Sequence, residues 1–244
     1  MRSALVTGAS RGIGRGIALR LAERGYALTI TSRKAADLEA LVIDLRTAGA
    51  PTVVHRAADL ADRDALAAVV DTHRETFATM DALVLSGGVG TAGPIDAFPL
   101  RRLDRTIEVN LASAFVLVQC SLPLLRAAAV ADPARGAKVL ALASITGAYA
   151  EPGLAAYGAT KAGLISFIQT LNSEESGRGV TATTIAPGYV DTDMSAWVTD
   201  SIPAQAMIPV SDIVAVADML LTLSPRTSIT GITLSRSGTR GYQA

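Results

Sequence analysis

Tyr157 and Lys161 stand four residues apart in the stretch YGATK. In a helix, four residues rise about 6 Å and turn slightly past one revolution, so phenol and ammonium share one face. That pairing suits proton transfer. A free tyrosine has a pKa near 10, and to work near neutrality it must fall by roughly 3 units, about 4 kcal/mol of preference for phenolate. A lysine ammonium in a partly dry site supplies part of that fall. Alone, such a pair is more often a chance surface pair, but two further residues accompany it. Ser144 ends the stretch LALAS, 13 residues before Tyr157, where its hydroxyl can hydrogen-bond a substrate oxygen. Asn110 interrupts the helical apolar pattern of IEVNLASA. Asparagine is a poor helix-interior residue, so it is expected to bend the helix and present a carbonyl to a water beside Lys161.

A second constellation lies at the N-terminus. TGASRGIG, residues 7–14, follows an apolar run and opens a helical one, which is where a dinucleotide phosphate site belongs. Gly8 permits a tight turn, while Gly12 and Gly14 let the backbone approach a pyrophosphate at the positive end of a helix. Ser10, Arg11 and Ile13 fill the same loop. The next apolar run ends TSRK, residues 31–34. An acid there binds a ribose 2′-hydroxyl, and an arginine accommodates a 2′-phosphate. Ser32 holds the acid's position, Arg33 follows, and Arg11 is within reach of the same region. Two guanidiniums point to NADP(H). The plainer reading makes Arg33 and Lys34 the solvated start of a helix. Asp59 in AADLAD suits the adenine amino group, or an N-cap for a helix starting near Leu60.

Seven short, nearly continuous apolar runs must position these residues: 3–7, 26–32, 51–57, 81–86, 137–144, 179–186 and 231–236. Runs of this kind are parallel strands buried on both faces. Between them, period-3.6 segments cover 12–24, 34–48, 60–77, 100–128, 155–176 and 211–223. The alternation predicts a Rossmann-type, doubly wound α/β fold: a seven-stranded parallel sheet with helices on both faces. With no linker or low-complexity segment, the 244 residues read as a single domain. The stretch 187–210, with three prolines and the only tryptophan, reads as a substrate lid.

These motifs together resemble the short-chain dehydrogenase/reductase family, in its compact single-domain form, along essentially the whole chain. The resemblance implies a catalytic tetrad of Asn110, Ser144, Tyr157 and Lys161. Tyr157 and Lys161 also hold the nicotinamide ribose. Further cofactor contacts are implied at Asp59, Leu60, Ser86, Gly87 and Gly88, and at Pro187, Gly188, Val190 and Thr192 of PGYVDTDM. Two departures stand out. The family's Asn-Asn-Ala-Gly stretch reads LSGG at 85–88, which removes strand-bracing asparagines, and the C-terminus reads LSRSGTRGYQA where many members have Asp-Gly-Gly. The segment after PGYVDTDM is short, implying a fairly open site.

The implied activity is NADPH-dependent reduction of a carbonyl, of a type similar to 3-oxoacyl-carrier-protein reductases. The alternatives are alcohol oxidation and a nucleotide sensor that lost its chemistry. Ile145, Thr146, Tyr149, Leu154, Tyr189, Met194 and Trp197 are the candidate pocket lining, mostly apolar. Small residues at Ala155, Ala156, Ala159, Ala162 and Gly163 favour close helix packing, and the family assembles through this helix and the long one before it. A homo-oligomer is expected, a tetramer before a dimer. The 22 basic and 22 acidic residues cancel, which gives no footprint for nucleic acid and no polybasic patch for a membrane. One cysteine and two separated histidines predict no metal site. The reading is cytoplasmic, with no targeting segment and no run of 18 apolar residues. Glu174 and Glu175 read as an exposed helix end.

Overall fold

The computed structural model describes residues 1–239. Seven strands form one parallel sheet: β1 Ser3–Thr7, β2 Ala27–Thr31, β3 Val53–His55, β4 Ala82–Leu85, β5 Ala137–Leu142, β6 Val180–Pro187 and β7 Gly231–Leu234. Their spatial order is β3-β2-β1-β4-β5-β6-β7. The chain winds outward from β1 to β3, then returns to pair β4 with β1. The order therefore reverses between β1 and β4, and the carboxyl ends of those strands open a crevice where ligands bind in such sheets. Residues 240–244, which end the unusual C-terminal segment, lie outside the described residues.

The pleat explains the uninterrupted apolar runs. Ala4 and Val6 of β1 face one core layer with Ile17, Leu21, Leu38 and Ile213, while Leu5 faces the other with Leu66, Leu117, Leu125 and Ile168. The first layer is covered by α1 Gly12–Glu23, α2 Ala35–Thr47 and α7 Val210–Thr222. The second is covered by α3 Arg63–Thr76, α5 Ser113–Ala131 and α6 Ala155–Glu175. A strand buried on both faces has no polar side to show.

α4, Leu100–Ile107, runs into α5 through a π-helical turn at Glu108–Ala112. The combined helix Leu100–Ala131 is long and apolar enough to cross a membrane by length and composition. This differs from the absence expected from the sequence. Leu117, Leu124, Leu125 and Ala128 of this helix pack in the core beneath the sheet.

Two polar groups differ from the sequence reading. Glu175 is buried, not an exposed end: Arg126 grips both carboxylate oxygens and Arg178 adds a contact at 2.9 Å. His73 is fully buried. Its Nε2 faces the Thr79 carbonyl at 3.0 Å, which only accepts, so Nε2 carries the proton and Nδ1 accepts from the Thr29 hydroxyl at 2.8 Å. Burial pushes His73 down to about 4. Its unfolded pKa is near 6.5, so the unfolded chain takes up a proton first as pH falls. His73 thus contributes its full stability above pH 6.5 and loses it toward pH 4, about 3 kcal/mol in all. Thermal melts should drop across that window, and a His73→Asn variant should melt lower but with a shallower pH dependence. An unchanged slope in the variant would place the loss elsewhere.

Candidate active site

At the carboxyl ends of the central strands lies a cleft of about 1020 Å³. Gly8, Ser10, Arg11, Gly12, Ile13, Gly14, Ser32, Arg33, Asp59, Leu60, Ser86, Gly87 and Gly88 line one part of it. Ser144, Tyr157, Lys161, Pro187, Gly188, Val190 and Thr192 line the rest. Two groups predicted from distant parts of the sequence are thus joined in one cavity.

The phosphate end is built by close backbone approach. Gly8 has φ +62°, and a Cβ there would stand 2.8 Å from the Cα of Gly87. A Cβ on Gly14 would stand 2.3 Å from the Gly8 carbonyl oxygen. Any side chain at either place would push the loop into the cleft or off the sheet. Arg11 at the N-cap of α1 makes no side-chain hydrogen bond to the first turn, so those N–H groups remain for an anion. These features fit a nucleotide pyrophosphate. At the end of β2, Ser32 and Arg33 present a hydroxyl and a guanidinium with no carboxylate at that position, which fits a 2′-phosphate. Arg11 departs from the expected pairing with Arg33. It reaches across the cleft mouth to Asp193 at 2.9 Å, and both side chains are well exposed.

Asp59 is not an N-cap. α3 starts at Arg63, and its cap is Asp62, which accepts from the Ala65 N–H at 3.0 Å. Asp59 instead accepts from the Ala61 N–H and from Arg105, at 2.8 Å to each oxygen. Arg105 first, then the Ala61 N–H, holds the Asp59 carboxyl below the usual carboxylate range against partial burial. Sequence reasoning missed Arg105. Its partner lies 46 residues earlier, and an arginine on an amphipathic helix gives no signal of its own.

The bracing lost with the LSGG stretch is supplied from two sides. Thr7 Oγ1 accepts from the N–H groups of Ser86 and Gly87, both at 3.1 Å. Asn110 Oδ1 accepts from the Val89 N–H at 2.8 Å, and its Nδ2 donates to the Val89 carbonyl at 3.0 Å. Asn110 does not line the cleft; it stands behind Gly88, on the π-turn that its poor helix propensity anticipates.

Ser144 Oγ accepts from the backbone N–H and the hydroxyl of Thr146, at 3.3 and 2.9 Å. Its own proton is therefore left to donate, and the nearby Ser144 hydroxyl favours the Tyr157 phenolate. Burial outweighs that effect and pushes Tyr157 up to about 12. Burial likewise pushes Lys161 down to about 8. This reverses the acidic tyrosine expected from the spacing. The ammonium is aimed at the Leu142 carbonyl, 2.7 Å away, and stands 5.6 Å from the phenol ring centroid. Desolvation then dominates both groups. Of the expected pocket lining, Thr146, Leu154, Tyr189, Met194 and Trp197 face the cleft. Ile145 is buried outside it, and Tyr149 lies on the surface.

A family model for short chain dehydrogenases matches residues 2–202. The chain belongs to the short-chain dehydrogenase family. It is similar to the 3-oxoacyl-[acyl-carrier-protein] reductase FabG of Staphylococcus aureus, 34% identical over 208 residues, covering 84% of this chain and 81% of the relative. Similarity to the Escherichia coli FabG is 33% over 197 residues, covering 81% and 77%. Among solved structures, an alcohol dehydrogenase from the archaeon Thermococcus sibiricus, complexed with 5-hydroxy-NADP, superposes with a TM-score of 0.87 at 25% identity, covering 100% and 98%. A short chain dehydrogenase from Burkholderia cenocepacia in complex with NADP superposes at 0.84 with 30% identity, covering 97% and 96%. Membership in this family makes the chain an oxidoreductase and agrees with the sheet order and the cleft.

Proposed function

We propose that this short-chain dehydrogenase reduces a ketone to an alcohol with NADPH. The observation that carries the reading is the single cleft lined by Ser144, Tyr157 and Lys161 at one end and by the glycine loop, Ser32 and Arg33 at the other. When bound, the nicotinamide nucleotide supplies the hydride. Tyr157, protonated at neutral pH, gives its proton to the alkoxide oxygen that forms on the substrate. Ser144 donates to the same oxygen, its orientation fixed by Thr146. Lys161 donates to the nicotinamide ribose and holds positive charge near the phenol. Asn110 keeps the Gly88–Val89 backbone in place beside Lys161. Residues Gly8 to Gly14 take the pyrophosphate, Arg33 the 2′-phosphate, and Asp59 the adenine amino group. Pro187, Gly188, Val190 and Thr192 border the nicotinamide.

The stretch 187–210 serves as the lid. Two short helical turns, at Asp193–Val198 and Ala204–Ala206, hang from a bridge between Val190 and Ile208. The chain assembles as a homo-oligomer, a tetramer before a dimer, through α5 and α6. Supporting this, Ile107, Leu111, Phe115, Gly163 and Phe167 line an apolar groove there, and Phe115 is 55% exposed. A panel of ketones, diketones and acyl thioester mimics, run with NADPH and NADH, tests the activity. NADPH consumption with at least one ketone is the expected outcome. Binding of NADPH without consumption by any of them would favour a nucleotide sensor.

A further inference from the structure

Behind the substrate end of the cleft, one of its lining residues makes a hydrogen bond whose polarity is fixed. Glu151, in the loop between β5 and α6, accepts at Oε1 from the Tyr189 hydroxyl at 2.9 Å. Its Oε2 is buried and has no hydrogen-bond partner among the described residues. A carboxylate only accepts, so Tyr189 commits its one proton to Glu151. The remaining capacity of the Tyr189 oxygen is acceptor capacity. Tyr189 lines the cleft together with Met194 and Trp197, and its ring meets the indole edge-on at 6.0 Å. Burial and Glu151 hold its phenol above the ordinary range, and Arg236 opposes this more weakly. The phenol therefore stays the donor in this pair. The opposite wall has the reverse polarity: Ser144 and Tyr157 both offer protons.

We propose that the Tyr189 hydroxyl, its proton held by Glu151, is a substrate subsite that takes a hydrogen-bond donor, so the preferred substrates are ketones bearing a hydroxyl or amine on a second carbon. The inference rests on the ketone-reductase reading of the same cleft. Ser144 and Tyr157 take the reacting carbonyl, and the Tyr189 oxygen takes the O–H or N–H of the second group. A second carbonyl placed there meets an acceptor and is disfavoured. The subsite thus separates hydroxyketones from dicarbonyl compounds, the class to which 3-oxoacyl thioesters belong. The pair also ties the start of the lid to the loop that leads into the Tyr157 helix.

Trp197 is the only tryptophan of the chain, so its emission reports binding beside Tyr189. The test is a fluorescence titration with 4-hydroxy-4-methyl-2-pentanone, 4-methyl-2-pentanone and 2,4-pentanedione, each with and without NADP+. The hydroxyl of the first ligand is tertiary and cannot be oxidised, so binding is read without turnover. In the wild type the hydroxyketone should bind about tenfold tighter than its deoxy analogue, the value of one well-placed hydrogen bond. The ratio should fall to about one in Tyr189→Phe, which lacks the acceptor. Glu151→Gln should also lose the preference and gain affinity for the diketone, because its amide can donate to Tyr189 and turn the phenol proton toward the cleft. Ratios within one variant do not depend on the folded fraction. A wild-type ratio near one, a ratio unchanged in both variants, or no saturable response to the hydroxyketone overturns the proposal. Failure of the cofactor reading shows separately, as ketone affinities that ignore NADP+.

Discussion

A Tyr157→Phe variant should turn over its best ketone about 10²- to 10⁴-fold more slowly, with NADP+ affinity changed less than about threefold. Phenylalanine keeps the ring and its place in the cleft wall, and removes only the hydroxyl that carries the transferable proton. Stopped-flow turnover and equilibrium titration of NADP+ separate the two effects. Equal losses in both would make Tyr157 a binding residue. The pH profile carries a second readout. A phenol pushed up to about 12 stays protonated through neutrality, the form that reduction requires. Lys161 is pushed down to about 8, so its positive charge is complete below that pH and lost as pH rises through it. The rate of reduction at low substrate should therefore be flat through neutrality and fall above about pH 8. A fall centred one or two units lower would mean that the phenol itself titrates, as the bare Tyr–Lys spacing suggests.

That contrast marks what sequence can and cannot convey here. The sheet was legible because parallel strands buried on both faces must be continuously apolar, and the glycine loop because close backbone approach tolerates nothing larger at Gly8 and Gly14. Helical spacing correctly put Tyr157 and Lys161 on one face of α6. It could not say where the ammonium points, and Leu142, 19 residues away, captures it. Asn110 was flagged by poor helix propensity, yet its partners on Val89 follow only from the crossing of α4 and α5 over β4. Asp59 was flagged by its place after β3; Arg105, which holds it, belongs to another helix. The polarity of the Glu151–Tyr189 bond was invisible for the same reason. Tyrosine read from sequence is an amphipathic pocket wall, and only its partner decides whether it gives or takes a proton. Glu175 was misread because a carboxylate at a helix end is usually solvated. Here Arg126 comes from the neighbouring helix and allows its burial.

Arg33→Ala should raise the KM for NADPH about 10- to 100-fold and leave that for NADH nearly unchanged, the expected loss of charge-assisted contacts to a 2′-phosphate. Adding Ser32→Asp should then reverse the preference, because an acid at the end of β2 binds a ribose 2′-hydroxyl and repels a phosphate. The two arginines are not equivalent. Arg33 lies near enough to Asp59 to help hold its carboxyl low, which puts it at the adenosine end. Arg11 already has an anionic partner, Asp193, across the cleft mouth. To meet a phosphate it must give up an exposed ion pair of the kind worth about 0–1 kcal/mol, so its net contribution is smaller. Arg11→Ala should therefore cost NADPH less than Arg33→Ala does, and Asp193→Asn should tighten NADPH by a few-fold without affecting NADH. Steady-state KM values for both nucleotides across these variants give the ranking. If Arg11→Ala proves the costlier change, Arg33 is no more than the solvated start of α2, and selectivity for the phosphate resides in the glycine loop.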